Sequence, residues 1–190
     1  MPRAGLVPAT VTEAAADLAD EINPTPLSMS VVAARLGVKA PSLYKHVDSV
    51  ADLTHRIAIL GATELGDALR DAVQGLAGSD ALGAAAQAVR AYVKEHPGRY
   101  AATTGATPSG PDDPLALALE RILNSLGAVL HGYDLGPDQQ IHAIRMLRSI
   151  LHGFATLESS NGFQMSTDVD DSFAWMVAFI DRGLRAAGAS

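Results

Sequence analysis

Residues 28–47, SMSVVAARLGVKAPSLYKHV, limit the possible folds more than any other part of the chain. Ser28 or Ser30 suits the N-cap of a short helix running through Leu36, and Gly37 stands where a left-handed residue ends a helix. Val38, Lys39 and Ala40 then fit a tight turn. Pro41 suits the first position of a second short helix, Pro41 to Val47, because its missing N–H has no partner there anyway. Two helices this short need a third to pack on. Val11, Ala14, Ala15, Leu18, Ala19 and Ile22 supply it at the spacing of one helical face, and the prolines of Asn23-Pro24-Thr25-Pro26 end it. Val32, Ala33, Leu36, Val38 and Leu43 would hold the pair on that first helix, leaving Ser42, Lys45 and His46 facing outward. This is the arrangement of a helix-turn-helix, whose second helix a DNA major groove admits.

The rest of the chain has helical periodicity and no strand-type alternation, so an all-α fold is expected. A cap at Asp48 or Ser49 opens a long linking helix with Leu53, Ile57, Leu60, Leu65 and Leu69 on one face. An alanine-rich helix follows from Asp80 to Glu95, then a shorter one from Arg99. The stretch from Thr103 to Pro114, rich in Gly, Pro, Ser and Thr, is expected to be a mobile loop. Further helices are expected at 115–130, 138–159 and 170–187. The last two carry more apolar surface than the stripe of about 100° that one-sided packing requires. Ile141, Ile144, Leu147, Leu151 and Phe154 are joined by Met146, Ile150 and Leu157; Phe173, Met176, Val177, Ile180 and Leu184 are joined by Trp175 and Phe179. They are therefore either central to their domain or packed against a second subunit. The expected division is a three-helix domain at 1–47, and a linking helix with a dimerising C-terminal bundle at 48–190.

Charge alone does not point to nucleic acid, since the net charge is −7. The first 47 residues are neutral, with Arg3, Arg35, Lys39 and Lys45 against Glu13, Asp17, Asp20 and Glu21, and most of the acidic excess lies beyond residue 60. No apolar run approaches the roughly 18 residues of a membrane span. No apolar secretory segment follows Met1, and the absence of cysteine excludes disulfides and thiolate zinc sites. A cytoplasmic protein with no membrane partner is expected.

The segment Leu36, Gly37, Val38, Pro41, Ser42, Leu43, Tyr44, His46, Val47, followed by Asp52-Leu53, resembles the TetR family of bacterial transcription regulators. A second set of residues resembles the WHG subgroup of that family's C-terminal domains: His96-Pro97-Gly98-Arg99-Tyr100, Leu147 to Phe154, Leu157-Glu158, Gly162-Phe163 and Asp171-Ser172-Phe173. The tryptophan of the subgroup's name is absent before His152. The resemblance implies a homodimeric repressor on a palindromic operator, released by a small-molecule effector. It also implies DNA contact from Ser28, Ser30, Lys39, Ala40, Ser42, Tyr44, Lys45 and His46. The sequence departs from the family pattern at Val50 and Thr10, where basic residues are common.

Aromatic and polarisable residues of the C-terminal region are candidates for an effector pocket: Tyr92, Tyr100, Met146, His152, Phe154, Met165 and Trp175. Taken singly, ordinary core is the stronger reading for each. No metal is expected, since none of the six histidines forms HxxxH or HxxH. No cofactor or catalytic group is expected either: Ser159 and Ser160 lack a nucleophile elbow, and no glycine-rich loop follows a strand. The alternative is a helical small-molecule-binding or enzymatic bundle that has lost DNA binding; neutral charge, Val50 and Thr10 favour it.

Overall fold

The computed structural model describes residues 6–189, so Arg3 lies outside the described residues. They form an all-helical protein: α1 (Pro8–Ile22), α2 (Met29–Arg35), α3 (Ala40–Leu43), α4 (Val50–Val73), α5 (Gly78–Glu95), α6 (Pro97–Gly105), α7 (Pro114–Leu130), a single 3₁₀ turn (His131–Tyr133), α8 (Pro137–Ser159) and α9 (Val169–Gly188). None of these helices is long and apolar enough to cross a membrane.

The chain divides into two compact units, residues 1–63 with 95–116 and residues 64–94 with 117–190. The first contains the expected 1–47 segment, the beginning of α4, and α6. Val11, Ala15 and Leu18 of α1 form its core with Met29, Val32 and Ala33 of α2, Leu43 and Val47, and Leu53 and Ile57 of α4. Most of these are apolar positions that the helical spacing picks out; Met29 and Val47 join them, and Leu36 and Val38, expected in the core, are only partly buried. Glu21 and Arg35 add a two-pronged ion pair between α1 and α2 at 2.9 and 2.5 Å.

Two stretches differ from the sequence-based expectation. The third helix closes after Leu43; residues 44–46 are turn, with the His46 N–H reaching back only three residues to the Leu43 carbonyl at 2.8 Å. Thr103 and Thr104, assigned to a loop by their composition, continue α6. Their hydroxyls donate to carbonyls four residues back, Thr103 to Arg99 at 3.0 Å and Thr104 to Tyr100 at 3.0 Å. The remaining loop folds around Asp113. This carboxylate accepts the Ser109 N–H and hydroxyl at 2.8 and 2.9 Å and the Leu115 N–H at 2.9 Å, and lies 3.1 Å from His55 Nε2. With that many donors on one buried carboxylate, the loop has a defined turn rather than the open coil its composition suggested.

In the second unit Leu82, Ala85, Ala86 and Val89 of α5 are buried, as are Leu126 and Val129 of α7, Leu147, Leu151 and Ala155 of α8, and Phe173, Ile180 and Leu184 of α9. The 3₁₀ turn is pinned by Tyr133, whose hydroxyl donates to Asp181 at 2.7 Å; its burial, with that bond, raises the phenol well above its usual range.

Candidate nucleic-acid interface

The helix-turn-helix is assembled from local hydrogen bonds that the sequence specifies. Ser28 has extended backbone angles at the N-cap of α2, and its hydroxyl accepts the Val31 N–H at 3.4 Å. Gly37, at φ +65°, ends α2 in the left-handed conformation. The Gly37 N–H then reaches the Ala34 carbonyl at 3.1 Å, and the Val38 N–H the Ala33 carbonyl at 3.0 Å. This pair of bonds is the Schellman pattern, which reverses the chain within three residues. The start of α4 is held by two side chains: Ser49 Oγ accepts the Asp52 N–H at 3.0 Å, and Asp52 accepts the N–H of Asp48, one residue before the cap, at 2.9 Å. Arg56 also donates to Asp52 at 3.0 Å, and that bond is the main reason the Asp52 carboxyl lies below its usual range.

The eight residues expected at DNA fall into three groups. Ser30, Lys39, Tyr44 and Lys45 are exposed, Tyr44 to 54%. Ala40, Ser42 and His46 are half-buried beside them, on and just after α3. Ser28 is half-buried and occupied as a cap, its hydroxyl also 3.0 Å from that of Ser30. Seven of the eight thus border the exposed side of the α2–α3 pair, while Leu43 and Val47 bury the other side. Val50, where a basic residue is common, is half-buried against the core, and Thr10 is exposed on α1. Arg35 and Arg56 are already paired, with Glu21 and Asp52, and provide less free charge than their number implies.

The seven candidate pocket residues differ in exposure and in the partners they have. Tyr100 is buried in the first unit. In the second, Tyr92 is buried and donates to Glu64 at 2.9 Å, while Phe154 packs on Phe163 and Phe173 at ring separations of 4.8 and 5.1 Å. Met165 is 87% exposed in the α8–α9 connection, and His152 is exposed on α8. Trp175 is 66% exposed and stacks on Phe179 at 5.4 Å. Met146 lines an apolar groove between α8 and α9 with Ala143, Ile150, Phe179, Gly183 and Ala187. Residue type alone selected these side chains, and type carries no information about which helix faces converge. Among the described residues no cluster of three or more potential metal ligands is present.

Comparison with known proteins supplies the family. The family model described as "Tetracyclin repressor-like, C-terminal domain" matches residues 82–180; its description names no WHG subgroup. An uncharacterised HTH-type transcriptional regulator of Mycobacterium tuberculosis is 36% identical over 176 residues, covering 92% of this chain and 80% of that protein. Two solved structures share the fold. BioQ, crystallised with its natural double-stranded DNA operator, has a TM-score of 0.73 at 20% identity, over 96% of this chain and 99% of that one. A TetR variant from Acinetobacter baumannii, in complex with minocycline, has a TM-score of 0.73 at 19% identity, over 98% of this chain and 100% of that one. With its helix-turn-helix and the matching C-terminal domain, the chain belongs to the TetR family of HTH-type transcriptional regulators.

Proposed function

We propose that this regulator is a repressor: a homodimer that binds a palindromic operator through residues 28–47 and is released by a small molecule held in its C-terminal region. The observation that carries the reading is the α2–α3 pair, in which Met29, Val32, Ala33 and Leu43 are buried while Tyr44, Lys45, Lys39 and Ser30 remain exposed. Lys39 and Lys45 suit phosphate oxygens; Ser42 and Tyr44 bring hydroxyls to the same face. BioQ's structure with operator DNA and the Acinetobacter protein's complex with minocycline support both halves of the proposal.

A two-fold dimer presents two α3 segments to successive major grooves, about 34–36 Å apart, so the operator has two inverted half-sites. The face formed by α8 and α9 is the proposed dimer contact, since Ile141, Met146, Leu157, Trp175 and Phe179 are all exposed on those helices. DNA reading is assigned to residues 1–47 and effector binding with dimerisation to 48–190. Release requires that the effector bind the DNA-free state more tightly than the bound one; equal affinity shifts nothing. The place of action is the bacterial cytoplasm, where the operator is, and the protein carries out no catalysis.

A mobility-shift titration on the DNA upstream of its own gene tests this reading. Retention of one palindromic fragment at low salt, lost in the Tyr44→Ala/Lys45→Ala variant, is expected. If no fragment is retained, the alternative holds instead: a helical small-molecule-binding or enzymatic bundle that has lost DNA binding.

A further inference from the structure

After α8, three consecutive N–H groups bond back into the helix. Ser160 donates to the Thr156 carbonyl at 3.1 Å, Asn161 to the Glu158 carbonyl at 3.0 Å and Gly162 to the Leu157 carbonyl at 2.7 Å. The last two bonds form the Schellman pattern, which needs a left-handed residue just past the helix, and Asn161 supplies it at φ +55°. Gly162 fits because it has no side chain: a Cβ there would lie 2.9 Å from the Leu157 carbonyl oxygen. Gln164 Nε2 closes the turn by donating to the Asn161 carbonyl at 2.5 Å. This cap seats Phe163, whose ring lies 4.8 Å from that of Phe154.

Asparagine followed by glycine suits such a cap, but the same pair can react with itself. When hydroxide removes its proton, the Gly162 nitrogen attacks the Asn161 side-chain carbonyl carbon, unhindered by any side chain of its own. The N–Cγ bond forms, the Cγ–Nδ2 bond breaks, and ammonia leaves with a proton from water, giving a cyclic imide. Water then opens the ring at either carbonyl, to aspartate or isoaspartate at position 161. In the closed cap the Gly162 N–H is held by the Leu157 carbonyl, so the reaction waits for the cap to open. The other two asparagines are less disposed to it: Asn23 precedes Pro24, which has no N–H, and Asn124 lies inside α7.

We propose that Asn161 and Gly162 form a self-modification site that turns a reversible opening of the α8 cap into a permanent one. Isoaspartate lengthens the backbone by a methylene carbon, which takes the Gly162 N–H out of register with Leu157. Either product also puts a carboxylate at a helix C-terminus, where the partial charge is already negative. Phe163 then loses the turn that seats it on Phe154.

Peptide mass mapping of the full chain, incubated at mildly alkaline pH in buffer and in guanidinium chloride, tests this. Asn161 converts in buffer ahead of Asn124, and about tenfold faster in denaturant, where the cap is gone. Gln164→Ala, which frees the Asn161 carbonyl, raises the rate in buffer by about threefold or more and leaves the rate in denaturant unchanged. The modified chain, separated from the parent by its added charge, exchanges the amide hydrogens of residues 160–162 faster than the parent does. No conversion of Asn161 in denaturant removes the site. Equal rates in buffer and denaturant, or a Gln164→Ala rate no higher than the wild type's in buffer, overturn control by the cap. Unchanged exchange at 160–162 in the modified chain overturns the permanent opening.

Discussion

The Arg90 guanidinium donates to both carboxylate oxygens of Glu158, at 2.6 and 2.7 Å, between side chains only 7% and 12% exposed. Asp170 accepts a third bond at 2.5 Å, and the Phe173 ring lies 4.6 Å from the guanidinium carbon. A single cation thus joins α5, α8 and α9. Glu158→Gln removes the buried counter-charge and leaves the Arg90 cation with only the exposed Asp170, and the expected loss is about 3 kcal/mol of stability. Calorimetry on the variant measures it. Replacing both partners with Arg90→Met/Glu158→Leu should recover most of that loss, since neither charge is then buried.

Acid should weaken the fold through its depressed carboxylates, Asp113 and Glu158 among them. At Asp113 the Ser109 and Leu115 N–H groups, and at Glu158 the Arg90 guanidinium, hold the carboxyl below its usual range. A folded-state value depressed below the unfolded one means that the stabilisation is complete above about pH 5, and is lost as pH falls through about 4 toward the depressed values. Thermal midpoints between pH 7 and pH 3 should therefore drop, and drop less steeply in Asp113→Asn, which is less stable at neutral pH. An identical slope in the variant would remove Asp113 from this account.

Trp175 and Phe179 stack on the outer side of α9, 66% and 58% exposed in the single chain. If that face meets its symmetry mate, Phe179→Asp should sediment at the mass of one chain and the wild type at the mass of two. Trp175 is the only tryptophan, so its emission should shift to the red in the variant. A wild type that sediments as one chain would remove the proposed dimer face.

Much of the first unit was legible in the sequence because its signals are local. Ser28, Gly37 and Ser49 each act within a few residues, and each performs the capping or turning role its type and position imply. The breadth of apolar surface on α8 and α9 was legible for the same reason. Gly98 and Arg99 were recognisable only as part of a resemblance, because their partners, Asp17, Ala19 and Asp20, lie some 80 positions earlier in the chain. The Thr103 to Pro114 stretch misled on composition, since the donors gathered by Asp113 and the threonine hydroxyls bonded back along α6 depend on geometry that composition does not encode. For an effector pocket the sequence offered residue type alone, and Tyr92, Trp175 and Met165, chosen on that ground, differ widely in burial.

The salt dependence of operator binding tests most directly the claim that the exposed face around α3 binds DNA. Lys39 and Lys45, the exposed cations of residues 28–47 that carry no counter-charge, number four in a dimer, so log affinity should fall with log salt at a slope of about −4. Lys45→Ala should bring the slope to about −2 while leaving the preferred sequence unchanged. An unchanged slope in Lys45→Ala would contradict the proposed interface, and binding that is insensitive to salt would contradict DNA recognition by this surface altogether.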